Sequence, residues 1–131
     1  MTLDISNFIY VFVMLLVFSI GTCTAQEVIN QGNFKDKIAK DIVVVEFWAE
    51  WNKANEFTDL NKLKDSSVYR VNIMHCTKLQ ADYNISAVPT VVVFDNGIEK
   101  ERFNANIMFQ LEADKKTIQT SIDTIILNKF Q

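Results

Sequence analysis

Val43-Val44-Val45-Glu46-Phe47-Trp48-Ala49-Glu50-Trp51-Asn52-Lys53-Ala54-Asn55 is the stretch on which the fold turns. A β-branched apolar run with one acid inside it, closed by two tryptophans, predicts a buried strand that feeds a turn. Downstream of that turn, Phe57, Leu60 and Leu63 are spaced for one buried face of a helix. Asn52 stands where its side-chain oxygen would cap the first free N–H groups of that helix.

The same reading extends in both directions. Upstream, Glu27-Val28-Ile29 predicts a short strand, Asn30 to Asn33 a turn, and Phe34 with Ile38 a helical face. Downstream, Val68 to Ile73 is a strand, and a short helix runs from about Thr77 to Tyr83. Asn84 closes it, a residue that tolerates the left-handed conformation at a helix end. Thr90 to Phe94 is a further strand, Asp95-Asn96-Gly97 a hairpin signal, and Ile98 to Phe103 a charged edge strand. Asp114 caps a last helix whose apolar stripe is Ile118, Ile122, Ile125, Ile126 and Phe130.

The resulting order, β-α-β-α-β-α-β-β-α, resembles the thioredoxin family over essentially the whole chain after residue 25. Val45-Glu46-Phe47-Trp48-Ala49-Glu50-Trp51, Val88-Pro89-Thr90 and Asn96-Gly97 carry the resemblance, in the family's order. Asn33-Phe34 is similar to the disulfide-isomerase branch. The resemblance implies an α/β thioredoxin fold with a central mixed sheet flanked by helices. In two places the chain departs from it. The segment from Asn55 to the next strand is about two helical turns shorter than usual, and the Asn104 to Ala113 connection is longer. Both departures touch the surface around the expected site.

The resemblance also places the family's Trp-Cys-x-x-Cys turn on Trp51 to Asn55, so that Asn52 and Asn55 occupy the two cysteine positions. Dithiol exchange needs one thiol to attack and one to resolve; an amide does neither, and no catalytic residue is expected. The resemblance makes Val88-Pro89 the family's cis-proline loop facing that turn, although only about 5% of X–Pro bonds are cis in general. There the backbone before proline pairs with an extended peptide, as an added strand. Trp51, Asn52, Asn55, Val88 and Pro89 are thus the expected binding groove. Ala105 stands at the position where the family usually has a glycine and is expected to narrow the groove. Trp48 is expected to pack as core and Trp51 to be exposed as an anchor. Glu46 and Arg70 match the family's buried acid and its basic companion; without a thiol to serve, they are expected to form a buried ion pair.

Composition excludes several functions. The 131 residues suffice for one domain. With 49% apolar residues and three glycines, the chain is rich enough in core to fold. No basic–aromatic face points to nucleic acid. Two cysteines, Cys23 and Cys76, and the single His75 are too few for a zinc site or a Cys–His nucleophile. No metal or other cofactor is expected.

Ile5 to Gln26 carries no charge. Its apolar run and the small residues Cys23-Thr24-Ala25 predict a signal peptide, residues 1–25, cut before Gln26. Residues 26–131 would then be the mature domain, with Cys76 as its only thiol. The uncharged span is also long enough to remain as an anchor, the one route by which a membrane enters. Asn84-Ile85-Ser86 is a glycosylation sequon in an exported chain, with restricted access expected in the folded domain. A left-handed helix end explains Asn84 without a sugar. The chain ends without a Lys-Asp-Glu-Leu-type signal.

The expected function is a non-catalytic domain of the secretory pathway, secreted or in the lumen of the endoplasmic reticulum, that binds extended polypeptide or a protein partner. The alternatives are a one-cysteine thiol enzyme using Cys76, which needs an exposed sulfur of lowered pKa, and a membrane-anchored structural subunit.

Overall fold

A computed structural model describes residues 26–131. The expected leader, the alternative anchor and Cys23 lie outside the described residues. Both layers of the fold rest on β1, Ile42–Trp48. Successive side chains of a strand point to opposite faces. Val43, Val45 and Phe47 therefore enter one core with Phe34, Ile38 and Leu79. Ile42 and Val44 enter a second core with Phe57, Leu60, Ile118 and Ile122. A strand covered on both faces has no solvent-facing row, which is why the run shows no polar alternation and its one polar residue, Glu46, is buried too.

On one side of β1 lies β2, Ser67–Asn72, in parallel register; on the other lies β3, Thr90–Asp95, antiparallel. The edge strand β4, Ile98–Phe103, pairs antiparallel with β3, and the sheet order is β2-β1-β3-β4. Asn96 and Gly97 join β3 to β4 with φ of 49° and 81°. Positive φ at both residues is what a two-residue hairpin of right-handed twist requires. The helices α1, Phe34–Ile38, and α2, Thr77–Asp82, cover one face. The other is covered by α3, Lys115–Asn128, capped by Asp114 accepting from the Thr117 N–H at 2.8 Å.

Three sequence expectations change. The Glu27-Val28-Ile29 strand is reduced to a single parallel bridge between Val28 and Arg70, flanked by Ile29 N–H to Arg70 O at 2.8 Å and Arg70 N–H to Glu27 O at 3.0 Å. The helix expected after Asn52 is replaced by two 3₁₀ turns, Glu50–Asn55 and Leu60–Lys62. The Phe57 N–H donates to the Glu46 carboxylate and the Phe57 carbonyl accepts from Arg70, so side chains take the backbone groups that an α-helix would use. Phe57, Leu60 and Leu63 are buried all the same; burial needs their spacing, not a regular helix. In α3, Ile118 and Ile122 are buried, but Phe130 lies beyond the helix end and is 85% exposed.

Candidate functional site

Three connections meet at the C-terminal end of β1. Trp48 pairs with Asn72 at the end of β2, and Phe47 pairs with Thr90 at the start of β3. The 49–55 turn, the segment after Asn72 and the loop before Thr90 therefore emerge at one edge of the sheet.

In the 49–55 turn, Ala49 is the N-cap and Asn52 sits inside with φ −114° and ψ 25°, outside helical values. Asn52 is thus not the cap expected from sequence. With no regular helix behind it, there is no row of free N–H groups for its oxygen to accept. Its amide instead ties three segments together. Nδ2 donates to Val88 O and to Phe109 O, both at 2.9 Å, and Oδ1 accepts from Asn55 Nδ2 at 2.8 Å. Both amide hydrogens and the oxygen are used, so Asn52 is fixed rather than free to rotate.

The Val88–Pro89 peptide bond is cis. Val88, Pro89 and Thr90 are buried, and the Thr90 hydroxyl donates to Ala87 O at 2.7 Å. Trp51 is 59% exposed, and its ring meets Phe109 edge-on at 5.2 Å and 90°. Ala105 pairs with Leu111 in an isolated antiparallel bridge. It forms the base of the loop, and Phe109 is the residue through which the loop reaches the turn. Phe109 was missed from sequence; the only signal for it was an aromatic residue in a connection longer than the family's usual one.

Below the turn, Glu46 is fully buried. One carboxylate oxygen accepts from Arg70 Nε and the other from the Phe57 N–H, both at 2.6 Å. Arg70 also donates to Glu56 Oε2 and to Phe57 O, each at 3.0 Å, and lies over the Trp48 ring at 6.0 Å. The two residues are register neighbours on parallel strands. Burial pushes the Glu46 carboxyl above its ordinary 4.5, and Glu56 adds to this; the Phe57 N–H and the Arg70 guanidinium pull it back. The ion pair expected from sequence is present, and it also clamps the 3₁₀ segment onto the sheet.

Cys76 occupies the N-cap position of α2 and belongs to the first core, only 3% exposed. The thiol-enzyme alternative requires an exposed sulfur, and the fold buries this one behind α2. Asn84 has φ 52° and is exposed, as is Ser86. The left-handed helix end is as expected; the restricted access is not. Among the described residues, no group of three or more His, Cys, Asp or Glu is placed to hold a metal ion. Nor is any helix there long and apolar enough to cross a membrane.

Chemically, the site offers amide hydrogen bonds, backbone beside a proline and an exposed indole. Neither Asn52 nor Asn55 supplies a nucleophile.

Comparison with known proteins bears on the family and the fold. The thioredoxin family model matches residues 25–117. A thioredoxin from Mycoplasma genitalium is 39% identical over 70 residues, covering 49% of this chain and 69% of that protein. One from Chlamydia trachomatis is 30% identical over 82 residues, covering 58% and 80%. Among solved structures, a mutant thioredoxin from Halobacterium salinarum superposes with a TM-score of 0.60 at 23% identity, over 77% of this chain and 94% of that one. That structural likeness carries the fold alone; with the family match and the two sequence relatives, this chain belongs to the thioredoxin family.

Proposed function

We propose that this is a non-catalytic thioredoxin-like protein of the secretory pathway that binds extended polypeptide in the groove between Trp51 and Val88-Pro89. The observation that carries the reading is the Asn52 side chain. It sits where the family resemblance puts the attacking thiol, holds Asn55 at 2.8 Å, and joins the turn to Val88 O. The two amides thus keep the turn against the proline loop while removing the chemistry of exchange. The remaining thiol among the described residues, Cys76, is buried.

Binding follows from what is left. The family resemblance puts strand-type pairing at the backbone beside Pro89, where main-chain bonds give affinity with little dependence on sequence; a bound chain would there share the Val88 carbonyl with Asn52. Trp51 supplies a large exposed apolar face at low entropic cost, the property of an interface anchor. The uncharged Ile5 to Gln26 stretch supports export, and the exposed Asn84 sequon is compatible with it. Whether export ends in release or in an anchored form is read from the intact mass of the mature protein, which begins at Gln26 if the leader is cut.

The test is binding of a fluorescein-labelled, reduced and carboxymethylated polypeptide, followed by anisotropy. The natural chain binds it, and Trp51→Ala weakens binding about tenfold or more, the loss expected for an anchor. Absence of binding, or equal binding by both chains, overturns the reading.

A further inference from the structure

The groove is not open. The connection that is long for the family folds back over it as a small, self-supporting loop. Ala105 and Leu111 pair at its base. Asn106 organises its interior: its N–H donates to Gln110 O at 2.8 Å, and its Oδ1 accepts from the N–H groups of Met108 and Gln110 at 2.8 and 3.1 Å. Phe109 then takes φ 57°, a left-handed conformation that non-glycine residues rarely adopt. The strained residue is the one that touches the site, through its carbonyl to Asn52 and its ring to Trp51.

These contacts fall on the groups a bound polypeptide would need. The Phe109 ring stands perpendicular to the Trp51 ring and takes part of its contact surface. A single amide, Asn52 Nδ2, holds the Val88 and Phe109 carbonyls together at 2.9 Å each. Ile107 and Met108, by contrast, point away from any cover and are 97% and 67% exposed. The loop places its backbone and one ring in the groove and leaves its apolar tip in solvent.

We propose that Ala105–Leu111 is a built-in strap that occupies the polypeptide groove and must swing away before a ligand can lie between Trp51 and Val88-Pro89. This rests on the polypeptide-binding reading above and adds its regulation. The tip, Asn106–Gln110, is held closed by one amide–carbonyl bond and one aromatic pair, while Leu111 stays packed against the second core as its hinge. Together these set a modest closing bias, about tenfold, which reduces apparent affinity by the same factor. Such a gate suppresses weak encounters and remains openable by a good ligand. Once displaced, the strap's tip is free to cover the bound chain.

The test shortens the strap. Because Ala105 and Leu111 are antiparallel partners, replacing Asn106–Gln110 with Asn-Gly joins them by a two-residue hairpin turn. Retention of the fold is checked by circular dichroism and melting. The labelled carboxymethylated polypeptide is titrated against the natural chain and this variant. Tightening by about tenfold in the shortened variant supports the strap. Equal affinity overturns the strap and leaves the groove reading standing. Weaker binding also overturns it, since the loop would then be a wall of the site. Absence of binding by either chain overturns both readings. If the shortened variant does not fold, Phe109→Ala serves in its place. It is expected to tighten binding several-fold and to raise amide exchange at residues 106–110; unchanged affinity in that variant overturns the strap.

Discussion

Replacing Glu46 with Gln removes a charge from the centre of the fold while keeping its volume. The carboxylate accepts two bonds at 2.6 Å, from Arg70 Nε and from the Phe57 N–H. A Gln oxygen can accept one of them, and its NH₂ then faces the other donor. One buried donor is left unpaired, at about 1–3 kcal/mol. The Arg70 charge also loses its partner, though Glu56 at 3.0 Å and partial solvent access soften that loss. The sum is about 3 kcal/mol, the lower end for a broken buried pair, equivalent to a fall in Tm of roughly 12–24 °C for a domain of this size. Urea unfolding followed by tryptophan fluorescence measures it, with the m-value unchanged. Because Glu46 also holds the 3₁₀ segment, amide exchange should rise around Phe57 before the domain unfolds. The paired variant Glu46→Leu/Arg70→Met should cost less than the sum of its single changes, by at least about 1 kcal/mol of coupling. A cost for Glu46→Gln below about 0.5 kcal/mol, or strictly additive losses, would refute the clamp.

Two further outcomes follow from the same structure. Glu46 holds its proton more tightly in the fold than in the unfolded chain, so its protonation favours folding. That contribution is complete below about pH 4.5 and is lost as pH rises through the elevated folded value. The stability gap between the natural chain and Glu46→Gln should therefore be wider at pH 4.5 than at pH 7, and a gap that narrows on acidification contradicts the direction. Asn84 and Ser86 are exposed on the folded domain, so in a secreted, glycosylating host enzymatic deglycosylation should lower the mass of much of the product. Asn84→Gln should abolish that shift; a secreted protein with no shift counts against the sequon.

Much of the architecture was legible because period and punctuation agreed. The unbroken Ile42 to Trp48 run, the Asn96-Gly97 turn and the Asp114 cap each have a single local solution, and the structure adopts it. The segment after the turn was not legible. Phe57, Leu60 and Leu63 have helical spacing, but the competing partners of the Phe57 backbone, Glu46 and Arg70, come from other strands and leave no trace in the local pattern. At the candidate site, Trp51, Asn52, Asn55, Val88 and Pro89 were named from motif positions. Phe109 was not, because its role depends on a left-handed backbone and a loop fold set by Asn106. Asn52 was placed by its motif position, but its expected role as a cap is replaced by a bridge between turn, proline loop and strap.

Disulfide exchange itself is the most direct test of a family frame kept without its chemistry. The natural chain and the variant Asn52→Cys/Asn55→Cys are assayed for reduction of a protein disulfide with a soluble dithiol as the electron source. The side chains at 52 and 55 face each other across one turn, their amides hydrogen-bonded at 2.8 Å, so the two introduced thiols are directed at one another as an internal bridge requires. The expected result is an internal disulfide and measurable reductase activity in the variant, with none above the uncatalysed rate in the natural chain. Activity in the natural chain, abolished by Cys76→Ser, would contradict the non-catalytic reading.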